Sequence, residues 1–177
     1  MKHLRKRLDK LGCNYALRCL EGYRGQKALA VLARLKTLVS PRVQASYLRT
    51  LCNGWSTRTR FQESGVCRFG CGADIDSIPH FAVCPCANDW ALRHARLHGA
   101  PIGLEVDLLL RMVSEAFNSD GTSRPLASED SMLQARAWHL YSLYRLHNAV
   151  RHHTFASGDF YGAYVQYYRE AMLALVL

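Results

Sequence analysis

The residue types best suited to chemistry are crowded into one short stretch of this sequence. It reads Cys67-Arg68-Phe69-Gly70-Cys71-Gly72, continued by Ile78-Pro79-His80-Phe81-Ala82-Val83-Cys84-Pro85-Cys86. Taken as ligands, Cys67, Cys71, His80 and Cys84 have the spacing C-x3-C-x8-H-x3-C. Three thiolates and one imidazole make a closed tetrahedral set for Zn2+ and leave no position for a reacting water. The expected zinc is therefore structural, supplying folding energy rather than hydrolytic chemistry. Gly70 and Gly72 allow a tight turn around the second cysteine, while Pro79 and Pro85 stiffen the other arm. If Cys84-Pro85-Cys86 is extended, its two thiols point the same way, so spacing alone does not separate them as fourth ligand. Cys84 is taken as the ligand and Cys86 as a spare thiol beside it.

Other arrangements carry less. His94 and His98 stand at i and i+4 but read as surface residues of a short helix. His147, His152 and His153 read as the solvated basic end of a helix, where positive charge suits the helix dipole. No Gly-X-Ser-X-Gly or family-specific cysteine signature supports a nucleophile, and Gly99 and Gly103 lack the partners of a phosphate-binding loop. No Asp-Asp pair occurs in the sequence. The chain is not expected to be an enzyme.

The elements that must position the cluster read as mainly α. Leu4, Leu8, Leu11 and Tyr15 fall at helical spacing, with Gly22 and Gly25 interrupting. Leu29, Leu32, Leu35 and Val39 form a second stripe, which ends at Ser40-Pro41. There Ser40 is placed to cap a third helix with Pro41 at its first position, Val43, Tyr47 and Leu51 on one face, and a stop at Asn53-Gly54. From Trp55 to Trp90 no amphipathic helix can be drawn. Periodicity returns with Leu109, Met112, Val113 and Ala116 and breaks at Asn118-Ser119-Asp120-Gly121. A long pattern from about Ser128 to His153 shows Leu133, Ala137, Leu140 and Tyr144 on one face. A last helix from about Asp159 carries Ala163, Tyr164, Tyr167 and Leu173, and its run of tyrosines reads as core packing. No strand pair is expected outside the cysteine-rich insert. The expected organisation is a basic helical segment over 1–55, a zinc knuckle over 56–90, and a helical segment over 91–177 that packs as one domain with the first.

The chain is 177 residues long, 49% hydrophobic and 21% charged, within the range of globular proteins. Its formal charge of +9 is unevenly placed. Residues 1–70 hold fifteen Lys and Arg against Asp9, Glu21 and Glu63 alone, whereas the remainder has a mild acidic excess. Such a distribution suits a polyanionic partner, because neutralising phosphates releases condensed counterions. Arg42, Arg49, Arg58, Arg60 and Arg68 interleave with Trp55, Phe61 and Phe69. Arginines contact phosphates and exposed rings stack on unpaired bases. Trp55 and Phe61 are expected to form the small core a zinc module needs. Phe69, between two ligands, is expected to be an exposed platform, with Arg49, Arg58, Arg60 and Arg68 around it. No apolar run reaches the roughly 18–20 residues of a membrane span. Seven cysteines without a hydrophobic signal segment point to a reducing intracellular compartment, nucleus or cytoplasm.

Arg49-Thr50-Leu51-Cys52-Asn53-Gly54-Trp55, then Arg60-Phe61-Gln62, then the C-x3-C-x8-H-x3-C run followed by Pro85, resembles the zinc-binding segment of non-LTR retrotransposon reverse transcriptases. The resemblance covers about residues 40–85 and extends more loosely through 135–153, with Tyr141, Tyr144, Asn148 and Arg151. In that family the segment follows the polymerase domain near the C-terminus. The family's catalytic palm uses an aromatic-X-Asp-Asp motif, which this sequence lacks. There is also no room for a polymerase ahead of the knuckle, so the chain looks like a detached C-terminal piece of such a protein. What the resemblance implies is binding to nucleic acid, RNA more than DNA, without polymerisation by this chain, as an independent module or beside a polymerase subunit.

Overall fold

The computed structural model of the chain describes residues 23–51, 54–94, 116–117, 123–124, 129–154 and 158–174. Its architecture is mainly helical. Helix α1 spans Tyr23–Leu38 and α2 Pro41–Leu51; a single 3-10 turn, Thr59–Phe61, lies in the loop that follows. Short helices α3, Ile78–Val83, and α4, Pro85–Arg93, precede a two-stranded antiparallel ladder of β1, Ala116–Phe117, with β2, Ser123–Arg124. Long helix α5, Glu129–Arg151, and α6, Phe160–Leu173, complete the described part.

Helix α5 is the spine. Its first half contributes Leu133, Ala137 and Tyr141 to a core with Val31, Leu32 and Leu35 of α1, and with Val43 and Tyr47 of α2. Its second half contributes Leu143 and Leu146 to a separate core, built with Trp55, Phe69, Phe81, Cys84 and Trp90, and with Tyr164 and Tyr168 of α6. The Trp138 indole packs against both cores and joins them. Helix ends are tied by long-range hydrogen bonds: the Gln134 amide donates to the Leu38 carbonyl and the Gln44 amide to the Leu32 carbonyl, each at 2.8 Å. The first satisfies a terminal carbonyl of α1 that would otherwise lack a helical partner, and the second adds a further donor to a carbonyl within the helix.

Several expectations hold here and several do not. The α1 stripe, α2, α5 and α6 lie where periodicity put them, and Asp159 caps α6 by accepting the Gly162 N–H at 2.8 Å. Pro41 opens α2, and the Ser40 carbonyl accepts the Gln44 N–H at 3.0 Å, but the buried Ser40 hydroxyl has no hydrogen-bond partner and makes no side-chain cap. Gly25 does not interrupt anything; it sits in the first turn of α1, where a glycine costs least. Ile78–Val83 and Pro85–Arg93 are helical, not irregular. Each of those helices has a proline in its first turn, where the missing N–H does no harm, and Ser77 accepts the His80 N–H at 3.2 Å to cap α3. Ala116 belongs to a strand rather than a helix, which corrects the expectation of no strand pair outside the insert. The intervening Asn-Ser-Asp-Gly sequence has the composition of a hairpin turn. The N-terminal stripe from Leu4 to Tyr15 and the residues Leu109, Met112 and Val113 lie outside the described residues.

Leu35 has no solvent exposure and packs where α1, α2 and α5 meet. Leu35→Ala should destabilise the chain by about 2–5 kcal/mol, read from urea unfolding followed by far-ultraviolet circular dichroism. A loss under about 0.5 kcal/mol would mean that α1 is not part of the cooperative core.

Candidate metal centre

The loop that carries Cys67 folds on itself before it reaches the helices. The Cys67 N–H donates to the Ala73 carbonyl at 2.8 Å, the Gly70 N–H donates to the Cys67 carbonyl at 3.2 Å, and the Phe69 N–H points at the Cys67 sulfur at 3.4 Å. Gly70 and Gly72 both have φ of 79°, so the chain turns twice through the left-handed region on either side of Cys71. A side chain at either position would be strained, which is why two glycines stand there. His80 is presented by the capped first turn of α3. Cys84 sits at the junction of α3 and α4 in extended conformation.

These turns bring one donor atom from each of Cys67, Cys71, His80 and Cys84 to within 4.8 Å of one another. The Cys67 and Cys84 sulfurs are 3.8 Å apart, and the Cys71 sulfur is 3.3 Å from His80 Nε2. Cys67 and Cys84 are buried, Cys71 and His80 partly so, and none of the described cysteines forms a disulfide. The arrangement can hold a metal ion. Cys84 supplies the fourth donor and Cys86 does not join the set. The helix starts at Pro85, so the segment is not extended through Cys86.

Electrostatics within the set favour a cation. The hydrogen bond from the Cys84 thiol to the Cys67 sulfur outweighs burial and pulls Cys67 below the usual thiol range. The same pairing, reinforced by burial, pushes Cys84 up. One thiolate thus forms readily and its charge opposes a second, until a positive ion relieves the repulsion. Burial and the neighbouring Cys71 and Cys67 also push Cys86 up, consistent with a protonated bystander.

The aromatic residues are arranged differently from the sequence expectation. Phe69 is 1% exposed, with its ring 4.5 Å from Phe81 and 5.7 Å from Trp90, so it is core and not a platform. The residue between two inward-facing cysteines is turned inward with them. Phe61 is the exposed ring, at 52%, and the Arg151 guanidinium lies over it at 5.3 Å from the ring centre. Trp55 is buried as expected and donates to the Thr50 hydroxyl at 2.9 Å.

One residue that sequence reasoning missed organises the loop. Asp76 is buried, and its Oδ2 accepts the Arg58 N–H at 2.9 Å and the Arg68 Nε–H at 3.0 Å. Its Oδ1 lies 3.4 Å from Nε2 of His147, which is itself completely buried. His147 is therefore not part of a solvated helix end, although His152 and His153 are exposed as expected. Nothing in the spacing signals this pairing, because Asp76 and His147 lie far apart in the sequence. His94 packs its ring against Tyr168 at 4.9 Å, and His98 lies outside the described residues.

The arginines divide into two groups. Arg58 and Arg68 line one depression together with Ser56, Phe61, Glu63 and Arg151. Arg60 reaches the Trp55 carbonyl at 3.4 Å, and Arg49 donates to the Tyr144 hydroxyl at 2.6 Å; neither lines that depression. Arg68 is the most committed, with its side chain only 15% exposed and paired to Asp76.

Burial alone would push the Asp76 carboxyl up, but His147, the Arg58 N–H and the Arg68 guanidinium together hold it at about 2. A depressed carboxylate stabilises the fold above its unfolded value near 4 and loses that contribution as pH falls through about 2. The stability gap between the wild type and Asp76→Asn should therefore narrow by about 2 kcal/mol between pH 4 and pH 2. Urea titrations of both proteins across that range measure it, and a gap independent of pH would remove the carboxylate from this role.

No family model matches the chain, and comparison with curated proteins and with solved structures finds no match.

Proposed function

We propose that this chain is a zinc-stabilised, non-catalytic module that binds nucleic acid, RNA in preference to DNA. The observation that carries the reading is the four-donor cluster, folded against a loop whose exposed cations are all guanidinium groups. Zinc fits the donor set and its spacing. Zn–S bonds of about 2.3 Å and a Zn–N bond of about 2.0 Å at tetrahedral angles set S···S at about 3.8 Å and S···N at about 3.5 Å. The contacts at 3.8 and 3.3 Å lie close to those edges. With three thiolates and one imidazole the ion would have no open position, so its contribution is folding energy and not a reacting water.

Around that centre, Arg58 and Arg60 are exposed within reach of solvent, and Arg49 is exposed on α2. Planar guanidinium groups recognise phosphate by paired N–H donors, which suits a nucleic-acid backbone. The likeness to the zinc-binding segment of non-LTR retrotransposon reverse transcriptases supports the same reading. It also suggests a place beside a polymerase, as a separate subunit or within a larger protein. Among the described residues no helix is long and apolar enough to cross a membrane.

Two measurements test this. Elemental analysis of the purified protein should give one zinc per chain, and chelation or Cys67→Ser should lower the melting temperature by several degrees or more. Absence of metal, or a melting temperature indifferent to chelator, would overturn the structural zinc. Affinity for a single-stranded RNA should fall steeply as salt is raised and should drop further in the double variant Arg58→Ala, Arg60→Ala. Zinc-dependent folding with no RNA affinity at low salt would instead favour a protein-interaction role, in which the centre only holds helices together.

A further inference from the structure

The depression lined by Ser56, Arg58, Phe61, Glu63, Arg68 and Arg151 has a volume of about 150 Å³. That is the space of about five waters, enough for a phosphate group and part of its sugar. Three of its six lining residues are arginines and one is a glutamate, so it is a cationic pocket. Its walls come from separate parts of the fold. Arg58, Phe61 and Glu63 belong to the loop after Trp55, Arg68 to the turn between the first two cysteines, and Arg151 to the last residue of α5.

Each guanidinium is anchored without being used up. Arg58 donates to the Ser64 carbonyl at 3.1 Å, Arg68 to Asp76 at 3.0 Å, and Arg151 to the Ser56 carbonyl at 3.4 Å. A guanidinium carries five N–H donors, and each of these contacts takes one. The forks are thus held in place with donors to spare, which lowers the entropy lost when an anion arrives. Gly65 adds to the same positioning: a Cβ there would stand 2.3 Å from a terminal nitrogen of Arg58, so the absence of a side chain lets that arginine lie across the loop. The Phe61 ring, half exposed and backed by the Arg151 guanidinium, forms a flat apolar surface at the edge of the pocket.

From this we infer that the pocket grips one phosphodiester of an unpaired strand while the adjoining base stacks on Phe61. The inference rests on the nucleic-acid reading above and deepens it to a single-strand site. It assigns binding roles to Phe61 and Arg151, outside the arginine set read from the sequence. A base held in a duplex is stacked on its neighbours and cannot lie on this ring, so the site separates unpaired from paired strands.

The test is fluorescence anisotropy with the zinc-loaded full chain, a labelled 12-nucleotide single-stranded RNA of mixed sequence, and the same strand annealed to its complement. Phe61→Ala should weaken single-strand binding about tenfold and leave duplex binding unchanged. Arg151→Ala should weaken it about tenfold and lower the salt slope by about 0.7. Gly65→Ala changes no charge or ring, yet by displacing Arg58 it should weaken binding about threefold or more. Arg93→Ala, on an exposed arginine of α4 outside the pocket, should have little effect. Circular dichroism and zinc content guard against misfolded variants. Wild-type binding that survives Phe61→Ala, Arg151→Ala and Gly65→Ala alike, or that falls equally on duplex and single strand with Phe61→Ala, would overturn the pocket while leaving nucleic-acid binding intact. A wild type that binds neither strand form at low salt would overturn the underlying reading as well.

Discussion

A single buried carboxylate, Asp76, ties the cysteine-rich loop to the long helix that organises the rest of the chain. Its two oxygens reach the Arg58 backbone, the Arg68 side chain and the His147 ring, so both sides of the loop and the distant helix α5 converge on one charge. Burying an ion is costly unless its partners are well placed, and removing one partner leaves the others uncompensated. The interaction is therefore directional in a way that apolar packing is not: it selects one seating of the loop on α5. The pocket beside it depends on that seating, since Arg58 and Arg68 are fixed by the carboxylate while Arg151 lies one turn beyond His147 on the same helix.

The loop has a second organiser on its other side. Four donor atoms within 4.8 Å of one another fix the positions of Cys67, Cys71, His80 and Cys84. Between these two polar centres lie the rings of Phe69, Phe81, Trp55 and His147, in contact at 4.5 to 5.6 Å. A short irregular segment cannot bury enough area to hold itself together. Here the Asp76 contacts hold one end and aromatic packing against α5 and α6 the middle, and a cation among the four donors would hold the other end. The Asp76 contacts and the aromatic wedge do not run through the four-donor cluster. The loop's seating on α5 and the shape of its metal centre are thus separable in principle, though they share Phe81 and Phe69 as neighbours.

How much of this was legible in the sequence depended on range. Helix α5 announces itself because Leu133, Ala137, Leu140 and Tyr144 recur at helical spacing, and α6 because Asp159 stands at its start. The four clustered donor residues are legible because a candidate ligand set is a spacing, readable without knowing the backbone between. Helices α3 and α4 are six and nine residues long, too short for periodicity to declare itself, and only the placement of Pro79 and Pro85 hints at them. The exchange of roles between Phe61 and Phe69 could not be read at all. Which ring faces out is decided by the direction in which the loop leaves Cys67, and that follows from two left-handed glycines and from Asp76. His147 likewise looks like one more basic residue near a helix end until its partner is brought to it.

The uneven charge takes on a sharper meaning in this light. All five lysines lie within the first 36 residues, while every cation of the loop and the pocket is an arginine. A lysine could supply the same charge, but it has no plane to stack on Phe61 and no fork to share between a carbonyl and an incoming oxygen. Arg151 does both at once, lying over the Phe61 ring while donating to the Ser56 carbonyl. Arg68 is half spent on Asp76 and still borders the cavity. Diffuse attraction of a polyanion asks only for net charge, which lysines supply as well as arginines. Shaped recognition asks for donors that are already held in place, and in the described structure those donors are the guanidinium groups that the cysteine-rich loop and the end of α5 bring to one point.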